Sequence, residues 1–158
     1  MFNIGDKVVY PMHGAGIIES IEEKEISGEK LRYYIIKLPM GEMKAMVPLN
    51  KVKEVGLRQV INEGEILRVL EVLRADSSTM PPNWNHRYRV NLEKIKSGSI
   101  FEVAEVVRNL LSRDREKGLS TGEKKMLENA RRILVSELVL AKNVTENIME
   151  EILEGYLN

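Results

Sequence analysis

The sequence lacks cysteine entirely and has only two histidines among its 158 residues. Without cysteine there can be no disulfide, no thiolate catalysis and no cysteine-ligated zinc. His13 and His86 alone are too few for a histidine-built metal site. We therefore expect the protein to bind no metal.

The sequence also lacks a long apolar run. No stretch approaches the roughly 20 apolar residues that a membrane span requires, and no charged-then-apolar leader stands at the N-terminus. The composition, 43% hydrophobic and 30% charged, is that of an ordinary globular protein. We expect a cytoplasmic protein that has no membrane partner.

Motifs for phosphate binding and catalysis are missing as well. The segments MHGAG (12–16) and STGEKK (120–125) superficially resemble phosphate-binding loops, but neither has the G-x-x-x-x-G-K-[ST] spacing. The chain offers no plausible set of nucleophile, base and orienting residue. We expect a protein that is not an enzyme and needs no cofactor.

The first 55 residues have the pattern of β-structure. Short runs rich in β-branched and aromatic residues alternate with glycine-containing turns. Ser27-Gly28 and Met40-Gly41 stand where tight hairpins are expected, and Gly14 and Gly16 permit close approach of the backbone in another turn. A small, strongly bent antiparallel sheet or SH3-like barrel is indicated. Its predicted strands are 6–10, 15–26, 29–38 and 42–48.

From residue 56 onward the apolar period is helical. The segment 57–74 carries an i, i+3, i+4, i+7 stripe, S-x-x-E capping boxes open two later helices, and a glycine ends the helix between them. The stripe is Ile66, Val69, Leu70 and Leu73; the boxes are Ser99 with Glu102 and Ser120 with Glu123; Asn83 and Thr145 are further N-caps, and Gly118 is the terminating glycine. We expect an α+β protein with a sheet domain at 1–55 and a bundle of about five helices at 56–158. Because a domain of about 55 residues is marginal alone, the sheet should pack on the bundle or on a partner.

The net charge of zero conceals a sorted distribution. Between Trp84 and Arg132 stand 12 basic and 7 acidic side chains, a net charge of +5. Residues 133–158 carry a net charge of −4. The middle of the helical half is therefore basic and its end acidic, although the whole chain lacks the basic excess of a general nucleic-acid coat.

Trp84 is the only tryptophan and begins a predicted helix. With Tyr88, Leu92 and Ile95 it lies on one helical face, which is typical of a core anchor. Its place in the first turn, beside free backbone amides, also suits a wedge against a nucleic-acid backbone. The cations that border this face are Arg87 with Lys94 on one side and Arg89 with Lys96 on the other. The residues alone leave both interpretations open.

Seven segments, taken in order, give the sequence a resemblance to a known family. They are GDKVVYPMHGAG, MVP, LEVLRA, NWNHRYRVNLEKIKSG, VAEVVRNLL, RDREKGLSTGEKKML and ILVSEL. Over nearly the whole chain they are similar to the CarD/CdnL family of bacterial transcription regulators. The N-terminal part also resembles the RNA polymerase-interacting module of the transcription-repair coupling factor. The resemblance implies a Tudor-like domain that adds its edge strand to the polymerase β subunit, and a helical domain that contacts promoter DNA at the upstream edge of the bubble.

The resemblance also implies site residues. Trp84 matches the family tryptophan thought to act as a minor-groove wedge. The implied DNA contacts are Trp84, Arg87, Arg89, Lys94, Lys124 and Lys125. The implied polymerase contacts are Lys24, Ile26, Lys44, Met46, Val47 and Pro48. Met46 stands where several relatives have an arginine before Val-Pro, and Lys44, on the same strand face, could substitute for it only approximately.

Two hypotheses follow for the function. The first is a monomeric, non-enzymatic transcription regulator that binds the β subunit of RNA polymerase and promoter DNA, without sequence preference, and stabilises the open complex. The second is a protein-binding adaptor in which the SH3-like module grips a partner and the bundle is only a scaffold. The second predicts that Trp84 is buried and that Trp84→Ala unfolds the bundle, so a melting curve of that variant separates the two.

Overall fold

A computed structural model of the protein describes residues 1–40 and 42–157. Within these residues, the N-terminal part forms a five-stranded antiparallel sheet with one short α-helix before its last strand, and five α-helices follow. The fold is α+β, as the sequence predicted. No helix in the described part of the chain is long and apolar enough to cross a membrane.

The strands are β1 (Lys7–Tyr10), β2 (Gly14–Ile26), β3 (Glu29–Leu38), β4 (Met43–Pro48) and β5 (Arg58–Gln59). The sheet has the strand order β4-β3-β2-β1-β5, and each neighbouring pair is antiparallel. The four predicted strands are confirmed, and β5 is an addition that the sequence analysis did not anticipate. Because β5 pairs with β1, the sheet extends past residue 55, where the first domain was expected to end. Strand β4 forms one edge of the sheet and β5 the other.

The predicted turn between β2 and β3 is confirmed. Ser27 and Gly28 both have positive φ, 53° and 81°, as a two-residue hairpin turn requires. A bulge between Ile18 and Ser20 shifts the register of the two strands, which bends the long hairpin. The other predicted turn, Met40-Gly41, includes Gly41, which lies outside the described residues.

The helical half contains the expected five long helices, preceded by a 3-10 turn (Leu49–Lys51) and one short helix. The helices are α1 (Val52–Val55), α2 (Glu63–Arg74), α3 (Trp84–Lys96), α4 (Ile100–Lys117), α5 (Thr121–Lys142) and α6 (Glu146–Leu157). The first long helix was expected to lie within 57–74, but it begins only at Glu63. The residues before it form β5 and a short linker. Asn62 and Glu65 then make a reciprocal capping box that fixes the start of α2.

The predicted helix caps are confirmed except for one. Asn83 accepts a hydrogen bond from the amide of His86, Ser120 from that of Glu123, and Thr145 from that of Ile148. Gly118 ends α4 with a φ of 77°. The capping box expected at Ser99 is wrong, because its side chain makes no cap hydrogen bond. There Ser97 Oγ instead accepts a hydrogen bond from the Ser99 amide.

Helix α5 is the central element of the molecule. It packs against all the other long helices and also against β2. Ala130, Leu134, Val135 and Leu138 of α5 are fully buried in the bundle core. The sheet has a core of its own, composed of Val8, Ile18, Tyr34, Ile36, Leu38, Val47 and Leu57. The expectation that the sheet packs on the bundle is therefore confirmed, and α5 provides the contact.

Gly16 should be the least replaceable glycine in the sheet. A β-carbon there would lie 2.4 Å from the carbonyl oxygen of Lys37 and 2.9 Å or less from two side chains of β3, whereas a β-carbon at Gly155 in α6 would meet no atom within 4 Å. Overpacking of a core costs about 1–3 kcal/mol. Because the contact at Gly16 is with backbone, we expect Gly16→Ala to lower the free energy of unfolding by about 3 kcal/mol or more. Gly155→Ala should raise it by about 0.5–1 kcal/mol through helix propensity. Chemical denaturation of the two variants measures both effects, and equal effects would contradict the close strand approach.

Candidate functional site

Among the phenylalanine, tyrosine and tryptophan side chains of residues 1–40 and 42–157, only Trp84 is exposed. It is 54% exposed and is the first residue of α3. Further along the same face, Tyr88 and Leu92 are half-buried and Ile95 is buried. The apolar stripe therefore enters the core only beyond its first turn. The interpretation of Trp84 as a buried core anchor is wrong, and the side chain is free to contact another molecule.

Arg87, predicted to contact DNA, is buried instead, with 2% of its surface exposed. Its Nε and one terminal nitrogen donate to the two carboxylate oxygens of Glu123, at 2.7 and 2.9 Å. The other terminal nitrogen donates to the carbonyl oxygens of Pro81 and Pro82. All three guanidinium nitrogens are thus occupied inside the protein. This placement counts against a direct contact between Arg87 and a phosphate.

The Arg87–Glu123 pair positions Trp84. Arg87 stands one turn after Trp84 on α3 and also holds the carbonyl groups of the preceding loop. Glu123 is in the first turn of α5, where Ser120 donates a further hydrogen bond to its carboxylate. A β-carbon at Gly122 would lie 3.9 Å from the Tyr88 ring, so the N-terminal turns of α3 and α5 lie side by side. Their free amides and positive dipole ends favour an anion at this end of the bundle.

The pair also shifts the ionisation of both partners. Hydrogen bonds from Arg87, with a further one from Ser120, hold the pKa of Glu123 below its usual range. The same carboxylate raises the pKa of Arg87. Both groups therefore remain charged near neutral pH, and the ion pair is intact there.

The remaining predicted DNA contacts are cations in two different states. Arg89, Lys124 and Lys125 are exposed, and within the described residues their side chains form no ion pair or hydrogen bond. Lys94 is half-buried and donates to Glu105 on α4 at 3.0 Å. Its charge is therefore largely committed inside the protein. The structure leaves Trp84 and three unpaired cations for a ligand, with the free amides of two helices.

The predicted polymerase contacts lie on the edge strand β4 and on the β2–β3 hairpin. Met46 and Ile26 are exposed apolar residues, at 42% and 52%, and Lys24 is also exposed. Val47 is 1% exposed and faces the core, so it could offer a partner only its main chain. Pro48, which has no amide hydrogen, is half-buried.

Lys44 is exposed on β4 and forms an ion pair with Glu19 at 2.9 Å. The hydrogen bond to Glu19 raises the pKa of Lys44. This lysine is thus not a free substitute for an arginine at the position of Met46. A partner carboxylate would have to compete with Glu19 for it.

Sequence reasoning missed the most important partner at this site. Glu123 was recognised only as a capping residue, since nothing in its neighbourhood points to an arginine 36 residues earlier.

No group of three or more potential metal ligands comes together within the described ranges.

Comparison with known proteins connects this geometry to a family. A family model described as the CarD-like/TRCF RID domain matches residues 2–61, and the CarD C-terminal domain matches residues 68–154. The chain is 45% identical over 146 residues to YdeB, a candidate transcription factor of Bacillus subtilis (strain 168), covering 92% of this chain and 95% of YdeB. The chain belongs to the CarD family. It is therefore a transcription regulator whose N-terminal domain is of the kind that interacts with RNA polymerase, in a class of regulators that are not enzymes.

Two solved structures of Myxococcus xanthus proteins are also similar to the N-terminal part. The solution structure of the 72-residue N-terminal domain of CarD is 34% identical, with a TM-score of 0.33, and covers 37% of this chain and 79% of its own. The N-terminal fragment of CdnL is 39% identical, with a TM-score of 0.34, and covers 40% of this chain and 89% of its own.

Replacement of Arg87 by methionine should destabilise the protein strongly. The change leaves Glu123 buried without its counter-ion, and breaking a buried ion pair in this way costs about 3–5 kcal/mol. The double variant Arg87→Met/Glu123→Leu should recover most of that loss, because it removes both charges from the interior. Urea denaturation of the single and double variants measures the effect. A single variant as stable as wild type would show that the pair is not part of the folded state.

The same pair predicts loss of stability in acid. The pKa of Glu123 is lower in the folded than in the unfolded chain, so the unfolded chain binds the proton first as the pH falls. The stabilisation is complete above the usual glutamate pKa of 4.5 and is lost progressively below it. We expect Glu123→Gln to be less stable than wild type at pH 7 and to lose less further stability between pH 5 and pH 3. Thermal unfolding across that range checks this, and parallel pH curves for the two proteins would contradict it.

Proposed function

We propose that the protein binds the β subunit of RNA polymerase through its sheet edge and stabilises the promoter open complex by placing Trp84 in the minor groove at the upstream edge of the bubble. It acts as a monomer in the cytoplasm and joins the nucleoid through the polymerase. The observation that carries the proposal is the exposure of Trp84 on a helix tip that a buried ion pair holds in place.

A wedge needs an exposed apolar plane, groups that bind the adjacent phosphates, and a rigid mount. Trp84 supplies the plane and is 54% exposed. Arg89, Lys124 and Lys125, with the free amides of α3 and α5, supply phosphate contacts. The Arg87–Glu123 pair holds in place the first turn of α3, which carries Trp84. Contacts of this kind read no base edges, so binding without sequence preference is expected.

Exposed apolar side chains at the edge of the sheet support the proposed polymerase-binding surface. Edge strands are normally protected by charge, proline or a covering element. Strand β4 carries the exposed Lys44 and ends in Pro48, but it also exposes Met43 and Met46, and the neighbouring hairpin exposes Ile26. An open edge with apolar side chains suits the addition of a partner strand, in which main-chain hydrogen bonds supply most of the affinity. The choice of the β subunit rests on the resemblance to the CarD/CdnL family.

Linkage explains how weak DNA contacts can have a large effect. A protein that binds the melted promoter better than the closed one shifts the equilibrium by its differential affinity, and a wedge fits best where the groove is already distorted. Attachment to polymerase makes the DNA contact intramolecular. A chain of zero net charge can then work on DNA without binding it tightly alone, and any free binding will depend strongly on salt.

Replacement of Trp84 by alanine should abolish the effect on the open complex and leave the fold intact. Stacking of an aromatic side chain on a base is worth about 1–3 kcal/mol, so the open-complex lifetime should fall at least about fivefold relative to wild type. The unfolding temperature should change little because the side chain is exposed. The measurement is the open-complex lifetime on one promoter with the cognate polymerase, without protein, with wild type and with Trp84→Ala.

Leu67→Ala provides the matched control. Leu67 is an apolar residue on α2 that is 62% exposed and lies outside the proposed surfaces, so its loss should leave the lifetime unchanged.

Ile26→Ala should weaken binding to a β-subunit fragment without altering thermal stability. If wild type binds polymerase but does not lengthen the lifetime, the protein is an adaptor. If Trp84→Ala is as active as wild type, the wedge is wrong.

A further inference from the structure

We infer that the Arg58–Glu137 ion pair locks the sheet domain onto α5, so that α5 holds Trp84 at a fixed distance and direction from the polymerase-binding edge. This inference rests on the proposed function. It assigns Arg58 and Glu137 as positioning residues, neither of which was recognised from the sequence.

Glu137 is a second buried carboxylate on α5, only 2% exposed. The two terminal nitrogens of Arg58 donate to its two oxygens, both at 2.7 Å. The backbone amide of Ile61 donates to the same carboxylate at 3.0 Å. Arg58 Nε donates to the carbonyl oxygen of Gly98 at 2.7 Å. One residue of the sheet thus contacts α5 and the α3–α4 turn together.

Further contacts attach the sheet to α5. Together with the Arg58–Glu137 pair, they form what we call the joint. The hydroxyl of Ser136 accepts a hydrogen bond from the amide of Ala15 at 2.9 Å. Arg132 donates to the carbonyl oxygen of His13, and Lys7 donates to that of Leu140, each at 3.0 Å. Positions 132, 136 and 140 are spaced by four residues, so they form a single row on the helix. The sheet therefore rests on about two turns of α5.

The linker leaves little freedom between the two parts. Only residues 60–62 separate β5 from α2, and the amide of the middle one is held by Glu137. Domains joined in one chain are expected to move relative to one another unless their interface prevents it. Here the interface contains a bidentate ion pair and a hydrogen bond to the linker itself.

The same helix connects this joint to the Trp84 end. Glu123 and Glu137 are 14 residues apart in sequence, which is about 21 Å along a helix axis. Each carboxylate is buried and accepts two hydrogen bonds from one arginine, which belongs to α3 at Glu123 and to β5 at Glu137. An unbroken helix between two such attachments transmits the orientation of the sheet to Trp84.

Rigidity matters because the protein must contact two sites on one complex. If the joint were loose, only the fraction of molecules with the right orientation could place Trp84 while bound to polymerase. The apparent DNA affinity falls in proportion to that fraction. Loosening the joint should therefore reduce the effect on the open complex without changing either contact surface.

The variant Arg58→Ala/Glu137→Gln tests the lock. It leaves no buried unpaired charge, and the glutamine oxygen can still accept from Ile61. Arg131→Ala/Glu150→Gln is the matched control, because that pair has the same nitrogen–oxygen distance of 2.7 Å and its arginine is similarly exposed, at 29% against 31%. One residue of this pair is also on α5, but the Arg131–Glu150 pair connects α5 to α6 and not to the sheet.

Two measurements are made on each protein. Spin labels on Lys37→Cys in β3 and Glu116→Cys in α4, both exposed in a chain without other cysteines, report the distance between the domains by pulsed electron resonance. The open-complex lifetime is measured with unlabelled protein. We expect the joint variant, Arg58→Ala/Glu137→Gln, to have a broader distance distribution than wild type. Its effect on the open-complex lifetime should be about tenfold smaller than that of wild type, as when only one molecule in ten has the competent orientation. Its binding to the β-subunit fragment should be unchanged, and the control should match wild type in all three.

The outcomes separate this inference from the proposed function. A narrow distance distribution in the joint variant overturns the lock, and a broad one with a full lifetime effect overturns its role in placing Trp84; the wedge survives either result. Failure of wild type to lengthen the lifetime overturns the proposed function, and the distance measurement still reports on the joint. If the double variant does not fold, Arg58→Lys replaces it, since lysine keeps the charge but cannot bind Glu137 and Gly98 together.

Discussion

The structure depends on the burial of two glutamates on one helix. Glu123 and Glu137 lie in the interior on opposite halves of α5, each 2% exposed or less. A carboxylate in such a position requires a counter-ion and full hydrogen bonding. Arg87 and Arg58 meet that requirement, and because they belong to other elements, satisfying the charges also fixes where α3 and β5 must lie. The position of Trp84 and the orientation of the sheet both follow from these two charges.

Hydrophobic side chains could have filled the same spaces at lower cost. Replacing a buried ion pair by apolar residues is often neutral or stabilising, so stability alone does not account for the two pairs. What an ion pair adds is direction, because a guanidinium fork meets a carboxylate in one plane and at one distance. Hydrophobic burial, by comparison, is non-directional. For a protein proposed to bridge polymerase and DNA, a defined direction has more value than a small gain in stability.

The sequence predicted most of the fold but not the contacts that organise the site. Four strands, five long helices and most caps follow from local period and turn chemistry, which act over a few residues. The two-residue strand β5 was missed because it is too short to show a period, and its pairing with β1 is set by tertiary structure. The exposure of Trp84 was also beyond local reasoning, since its stripe matches that of a core helix. Arg87 looked like a phosphate contact because charge in sequence does not reveal a buried partner 36 residues away.

Arg87 and Arg89 show why charge counts near a functional residue need structural context. They stand two residues apart, so on a helix they point about 200° away from each other. One must therefore turn toward the bundle when the other faces solvent. The inward arginine supports the tryptophan through Glu123 and the loop before α3, and the outward one remains available for phosphate. Several of the 12 cations between Trp84 and Arg132, Arg87 and Lys94 among them, are engaged in ion pairs within the protein. The number of cations that a DNA backbone would meet is smaller than the sequence suggests, which suits the proposed contact, made while the protein is attached to polymerase.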